Sequence, residues 1–542
     1  MATVKTTAKK NALLSVYDKT GIGEFAAGLH KLGWNIYSSG GTAEAVRTAG
    51  VQVTDVSELV GGGAILGHRV VTLSREVHSG LLADLRSDAD LAELESLGIP
   101  LIDLVAVDMY PLEEEIKSGR ATAESVREKT DIGGPTMLRA AAKGQRIVLS
   151  VPEQRAVVLK WLQDGMPDED AFRAELAARA EYESARYIML SALNLGGEDT
   201  AGFIGRRIAP TKYGENPYQL PAGLYADNRV AIDPLGLDQF KHRKGWELSY
   251  INETDIHRLI ISACHVAAGF DRNYGKVPAM AIGVKHGNAC GAGIGDTHVE
   301  AVKKMLEGDE IAIFGGVIMI NGAIDSNVAE ALMHHHMPTG QNRLLDGIIG
   351  SEVTPEAVEI LSRAKLRIVT NPALATLSES SLETAPIMRQ VRGGMLLQPN
   401  YTFVADLSAK YIERHGKTST QQDRDLVLAW AIGSTSNSNT ITIVKNGQLL
   451  GNGVGQQDRV GAAKLALSRA KDRNHNVHGA AAYSDSFFPF PDGPMVLADA
   501  GITAILTSNS SVNDPIVITA LTGAGTCIVM FPDKIGRGFF GH

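Results

Sequence analysis

The sequence predicts an α/β protein with more than one folding unit, the first built on a mainly parallel sheet. Three observations carry that expectation. Short apolar runs alternate with helical patterns through the first third, the arrangement of strands joined by crossover helices. Polar turns fall at the carboxyl ends of those runs, where open α/β sheets bind ligands. The 542 residues also exceed what one hydrophobic core serves, so at least two domains are expected.

Ala12 to Val16 reads as a strand ending in Tyr17-Asp18-Lys19-Thr20-Gly21, with a helix following to about Leu32. A strand from Asn35 to Tyr37 leads into Ser38-Ser39-Gly40-Gly41-Thr42, which opens the next helix. Ile102 to Val107 runs into Asp108-Met109-Tyr110-Pro111, and Ile147 to Val151 stops at Pro152. Phe172, Leu176, Ala180, Tyr187 and Leu190 fit one face of a helix between Ala171 and Leu195. Gly196-Gly197-Glu198-Asp199 breaks it and sets a domain boundary near residue 200, giving domains 1–200 and 201–542. Beyond it, an apolar run (Met280, Ala281, Ile282, Val284) ends in Lys285-His286 and breaks into Gly287-Asn288. A similar strand, Ile441 to Val444, follows Ser438-Asn439. Each is followed by glycines and a helix, so two related subdomains are expected.

Composition excludes several classes. A formal net charge of -9 argues against a general nucleic-acid binder but leaves phosphorylated small molecules open, because a few basic groups and backbone N–H groups suffice for them. Three scattered cysteines, Cys264, Cys290 and Cys527, supply neither a disulfide framework nor a CxxC metal site, and a reducing cytoplasm is the expected compartment. The polar, basic start is no signal peptide. Leu426 to Val444 lacks charge, but its centre, Gly433 to Thr440, is too polar for hydrocarbon, so no membrane segment is expected.

Several motifs carry chemistry. Lys285-His286 places a cation and an imidazole where a strand emerges; a lysine can hold an oxyanion, and histidine suits proton transfer near pH 7. Ser38 to Thr42 is either a phosphate cradle at a helix N-terminus or a tight turn with Thr42 as N-cap. Asp131-Ile132-Gly133-Gly134-Pro135, with Lys143 near the end of the next helix, offers a carboxylate and an acid/base lysine or merely a solvated one. His334-His335-His336 invites a metal reading. Adjacent histidines on a helix point apart, however, so a solvated surface is expected. His298-Val299-Glu300 begins a zinc-deaminase signature whose Pro-Cys-x-x-Cys half is missing. Ser484 to Gly493 packs three aromatics and two prolines into a segment that either holds a flat heterocycle or anchors the core.

Together and in order, these segments resemble the bifunctional purine-biosynthesis enzymes that join AICAR transformylase to IMP cyclohydrolase. Further matching segments are Tyr213-Gly214-Glu215-Asn216-Pro217, Phe314-Gly315-Gly316, Asp346-Gly347-Ile348-Ile349 and Gly455-Gln456-Gln457-Asp458-Arg459. The resemblance implies a methylglyoxal-synthase-like N-terminal domain followed by two cytidine-deaminase-like α/β subdomains without zinc. It implies formyl transfer from 10-formyltetrahydrofolate to AICAR giving FAICAR, then cyclodehydration to IMP, by a cytoplasmic homodimer that needs no metal. In the transformylase, His286 is the implied base, Lys285 and Asn439 orient substrate and steady the oxyanion, and Gly315, Asp346 and Arg459 hold AICAR. Lys212 and Tyr213 lie near its phosphate, and Phe487 and Asp492 face the folate. In the cyclohydrolase, Lys143 is the implied proton shuttle, helped by Tyr110 and Asp131, with Asp18, Lys19, Ser39, Gly40, Gly41, Thr42, Arg69 and Thr72 binding substrate. The chain departs from the family at Val71 and Ser74, where lysine and histidine are usual, and at Asp108, where asparagine is usual. An acidic Asp108 would repel a phosphate unless paired. A transformylase with a structural first domain and a non-catalytic nucleotide-binding protein are the competing readings; Lys143 and His286 argue against the second.

Overall fold

The computed structural model describes residues 10–67, 69–227 and 232–541. They group into one compact unit through Gly205 and a second formed by residues 206–226 and those from 232 on.

In the first unit, strands β1 (Asn11–Val16), β2 (Asn35–Ser38), β3 (Thr54–Asp55), β4 (Leu104–Asp108) and β5 (Ile147–Leu149) form one sheet in the order β3-β2-β1-β4-β5. All neighbours run parallel. β1, β4 and β5 are buried on both faces, as a parallel sheet flanked by helices requires; Leu13, Leu14, Val105 and Val148 are almost fully enclosed. The chain runs outward from β1 to β3, then returns to place β4 on the other side of β1. A crevice therefore opens at the carboxyl ends of β1 and β4, and the turns after Val16, Ser38 and Asp108 meet there. The predicted helix is Glu169–Gly196, with Leu176, Ala180, Tyr187 and Leu190 buried.

Beyond the first sheet, β6 (Gly205–Thr211) and β7 (Ala222–Asp227) form a two-stranded sheet. A twelve-stranded sheet then takes β8 (Lys241–Lys244), β9 (Ala279–Lys285), β10 (Asn288–Gly295), β11 (Val317–Ile320), β12 (Gly347–Gly350) and β13 (Arg367–Thr370). A separate hairpin, β14 (Ile387–Val391) and β15 (Gly394–Gln398), precedes its other half. That half is β16 (Glu413–His415), β17 (Ile441–Lys445), β18 (Gln448–Gly453), β19 (Ala481–Ser484), β20 (Ala504–Ser508) and β21 (Cys527–Phe531). The order β16-β21-β20-β19-β17-β18-β10-β9-β11-β12-β13-β8 reads the same topology outward from the β18–β10 junction in both directions. This is the duplicated subdomain expected from the sequence.

In each half a helix follows the edge strand, Tyr250–Tyr274 after β8 and Thr420–Gly433 after β16, and both helices start with a serine capping box, Ser249 with Asn252 and Ser419 with Gln422. These helices share one core with Met280, Ile282, Val284, Tyr483 and Leu506. The alternate strand residues Ala281, Ile318 and Ile348 face helices on the opposite side. Covering on both faces explains why the strands read as continuous apolar runs and not as alternating ones.

Candidate active sites

The first-unit crevice is built by three turns. Thr42 is not the N-cap: the helix Gly40–Thr48 starts at Ser39, whose side chain makes no capping bond. The Thr42 hydroxyl instead donates to the Val16 carbonyl at 3.0 Å and accepts from the Val16 amide at 3.2 Å, tying the helix start to the end of β1. The first-turn amides of that helix are left for a ligand, a ready anion site. Lys19 reaches across, with its Cε 3.6 Å from where a Cβ on Gly41 would lie. Its ammonium donates to the Val16 and Tyr17 carbonyls, and burial lowers its pKa from the ordinary lysine range.

Asp108 is paired, which removes the repulsion the sequence suggested. Its carboxylate accepts from the Asp18 amide at 2.6 Å and meets the guanidinium of Arg155 at 2.7 Å. Arg155 also donates to the carbonyls of Asp18 and Thr20, so one buried cation organises the whole β1 turn. Burial outweighs that cation and holds the Asp108 carboxyl above its usual range.

Asp131 accepts from the Gly134 amide at 2.9 Å, with the Tyr110 and Gly133 amides also turned to it, and burial raises its pKa. Thr72 faces the same loop: a Cβ on Gly133 would stand 2.9 Å from its hydroxyl. Tyr110 packs edge-on to Tyr17 at 5.9 Å, on the rim. Two expected members lie apart. Lys143 closes the helix Gly133–Lys143 while Asp131 precedes it, and 11 residues rise roughly 16 Å. Within one chain Lys143 and Asp131 therefore stand at opposite ends of that helix. Arg69 is turned to Glu128, at 2.5 and 2.8 Å. Val71 packs on the core, and Ser74 caps the helix Arg75–Leu82, so both departures have structural uses.

In the second unit, β9 and β10 are joined by the turn His286-Gly287, with φ of 55° and 75°, the positive pair a type I′ hairpin needs. A histidine in that conformation costs free energy, and the surroundings hold it there. The Gly287 amide donates to Asp255 at 2.8 Å, and its carbonyl accepts from Arg258 Nε at 2.7 Å. Arg258 also donates to the Thr435 carbonyl at 2.8 Å and to Asn437 at 3.3 Å, and Asn288 accepts from the Asn437 amide. The hairpin is thereby locked to the segment leading to Asn439. Lys285 Nζ donates to the Phe314 carbonyl at 2.6 Å, beside Gly315. Lys285, His286 and Asn288 line one side of a cavity of about 280 Å³, with Asn452, Val454 and Arg469 among its other walls.

Asn439 is held by a reciprocal backbone pair with Gln456, and its side-chain amide donates to the Gln456 carbonyl at 2.9 Å. Buried Asp485 accepts from Ser438 Oγ at 2.6 Å, the Thr440 amide at 3.1 Å and Arg459 Nη1 at 2.6 Å. Arg459 Nε donates to the Phe487 carbonyl, which couples the Asn439 segment to the aromatic one. Of those aromatics, Phe488 is core, while Phe487 is partly open beneath the Arg537 guanidinium at 5.6 Å. Asp492 is exposed at the start of the helix Asp492–Asp499. The Asp346 amide donates to the Gly316 carbonyl and its own carbonyl accepts from Arg367. The Lys212 ammonium stands 5.9 Å from the Tyr213 ring.

Asp255, Arg258, Asp485 and Arg155 were not anticipated. The repeat carries a signal for the first of them. Asp425 in the second half holds the equivalent turn, Asn446-Gly447, through both amides at 2.8 and 2.7 Å. Replacing Arg258 by methionine is expected to destabilise the chain by about 3 kcal/mol, since it strands buried acceptors that had a charged donor. Equilibrium denaturation reads this directly, and a loss under about 1 kcal/mol would show that Arg258 is not the lock.

Comparison with known proteins then adds relatives. The family model described as AICARFT/IMPCHase bienzyme matches residues 141–469, and an MGS-like domain matches 21–136. The chain is 36% identical over 515 residues to the bifunctional purine biosynthesis protein PurH of Bacillus cytotoxicus, covering 93% of this chain and 95% of that one. The protein of the same name from Anoxybacillus flavithermus is 35% identical over 517 residues, with the same coverage.

Proposed function

The chain belongs to the AICARFT/IMPCHase bienzyme family, and from that premise we propose two successive steps of purine biosynthesis. The first is formyl transfer from a folate-derived donor to AICAR, giving FAICAR; the second is cyclodehydration of FAICAR to IMP. The observation that carries the first step is the His286 turn, held at positive φ by Asp255 and Arg258 beside a lysine and a cavity. We take the donor to be 10-formyltetrahydrofolate and the assembly to be a cytoplasmic homodimer, both carried over from the family resemblance.

In the transfer, the AICAR amine attacks the formyl carbon as His286 Nε2 or Nδ1 removes its proton. Lys285 and Asn439 steady the tetrahedral oxyanion. Collapse expels the folate nitrogen, which takes up a proton as tetrahydrofolate leaves. Asp346 and Arg459 hold AICAR, and Phe487 faces the pterin. In the cyclisation, the carboxamide nitrogen of FAICAR adds to its own formyl carbon and water is lost. Positioning supplies much of that acceleration, because the step is intramolecular. The open helix start at Ser39 to Thr42, with Lys19, suits the substrate phosphate, and Asp131 and Tyr110 stand at the reacting end.

Supplying FAICAR without folate bypasses the first step. IMP is then expected to form at the same rate in the unaltered protein and in His286→Asn. Equal loss of both activities in that variant would remove the assignment of the two reactions to separate sites.

A further inference from the structure

The His334-His335-His336 triplet has no part in either reaction, and its geometry departs from the helical one expected. The helix Ser326–His334 ends at the first histidine, and His336 adopts φ of 55°. The chain therefore turns, and the rings of His335 and His336 stack at 4.1 Å with 20° between their planes. Both face one carboxylate. His335 Nε2 lies 2.7 Å and His336 Nε2 4.0 Å from Glu307 Oε1, and one ligand atom from each residue lies within 4.8 Å of the others.

We propose that Glu307, His335 and His336 form a binding site for a zinc-class divalent cation, separate from both catalytic centres. Two imidazole nitrogens and one carboxylate oxygen are donors that suit zinc and not magnesium or calcium. Tetrahedral ligands about 2.05 Å from zinc stand about 3.3 Å apart. The two histidine-to-carboxylate distances, 2.7 and 4.0 Å, bracket that spacing, and one of the two stacked rings turns out of the stack for both nitrogens to point at one ion. His336 is also prepared for the role: its Nδ1 meets Glu310 at 2.9 Å, which leaves Nε2 as the ligand. A carboxylate on the far nitrogen of a ligating histidine is the usual outer support of such a metal. His334 is excluded, because its two ring nitrogens are engaged by Glu330 at 2.6 Å and Asn342 at 3.0 Å. Three protein ligands leave a position for water and describe an exchangeable ion.

The backbone beneath is fixed. Glu307 lies on the helix His298–Gly308, and that helix packs on Ser326–His334 through Val302, Leu306, Val328 and Leu332. An ion here would staple two loops that continue into the transformylase site. One runs from Glu310 to Phe314, whose carbonyl holds Lys285. The other passes Arg343, bonded to the His335 carbonyl, and reaches Leu344, which accepts from the Gly315 amide.

The test is zinc binding to the full-length, metal-free protein without a polyhistidine tag, by competition with a chromophoric chelator. About one zinc per chain is expected. His335→Ala and Glu307→Gln should each weaken binding at least about tenfold, while His334→Ala should leave it unchanged. Cobalt in place of zinc should give the visible band of a tetrahedral site, and His336→Ala should remove it. No binding, binding indifferent to His335→Ala and Glu307→Gln, or equal loss in His334→Ala would each overturn the proposal.

Discussion

Replacing His286 by asparagine is expected to cut formyl transfer by ~10²–10⁴-fold while the protein stays folded. Asparagine is the informative choice because the second repeat already uses it. Asn446 occupies the matching turn at φ of 53°, next to Gly447 at 73°, with its amide held by Asp425. Asparagine tolerates the left-handed region better than most residues, so the hairpin survives and only the base is lost. The loss corresponds to about 3–5 kcal/mol of transition-state stabilisation and should fall on kcat, with KM little changed. An unchanged melting temperature with near-normal turnover would exclude His286 as the base. The same comparison predicts one transformylase centre per chain. Lys445 in the second hairpin is tied to the Asn476 and His478 carbonyls, as Lys285 is to Phe314, but the turn residue that follows it is Asn446 and not a histidine.

Replacing Arg155 by methionine is expected to destabilise the chain by about 3–5 kcal/mol, because it leaves the Asp108 carboxylate buried without a cation. Arg155 is only 5% exposed, and its guanidinium also satisfies two carbonyls of the β1 turn. Cyclisation should fall with it, since Asp18, Lys19 and the Thr42 contact all depend on that turn. A second change, Asp108→Asn, should restore part of the stability by removing the stranded charge. The pH dependence has a definite sign. Burial holds the folded Asp108 above its unfolded value, so folding takes up a proton there. The penalty is present above the folded pKa, grows when Arg155 is gone, and disappears as pH falls through the folded pKa toward the unfolded one. Denaturation at neutral and acidic pH measures it. A variant that loses less than about 1 kcal/mol at neutral pH would show the pair to be dispensable.

The sequence displayed what is local. The apolar runs of β1, β2, β4 and β5, the helix Glu169–Gly196 and the glycine turns were legible because strand burial and helix periodicity act within a few residues. β3, with two residues, is too short to carry a pattern. The Lys285-His286 turn and the Ser39 to Thr42 helix start were legible for the same reason. What holds them was not. Arg155 and Asp108 are 47 positions apart, and Arg459 and Asp485 are 26 apart; nothing near either residue announces its partner. The resemblance names Lys143 together with Asp131 and Tyr110, and the intervening helix sets Lys143 and Asp131 at its opposite ends. The histidine triplet reads as continuous helix on a solvated surface; His334 and His336 are exposed, but the helix stops at His334 and the next two rings stack beside Glu307.

The central claim is that one chain carries AICAR through FAICAR to IMP. It is tested most directly by incubating the purified protein with AICAR and 10-formyltetrahydrofolate and separating the three nucleotides over time. FAICAR should appear first and IMP should follow, with tetrahydrofolate released in equal amount to the AICAR consumed. AICAR left unchanged, or FAICAR that turns into IMP no faster than in buffer, would contradict the account.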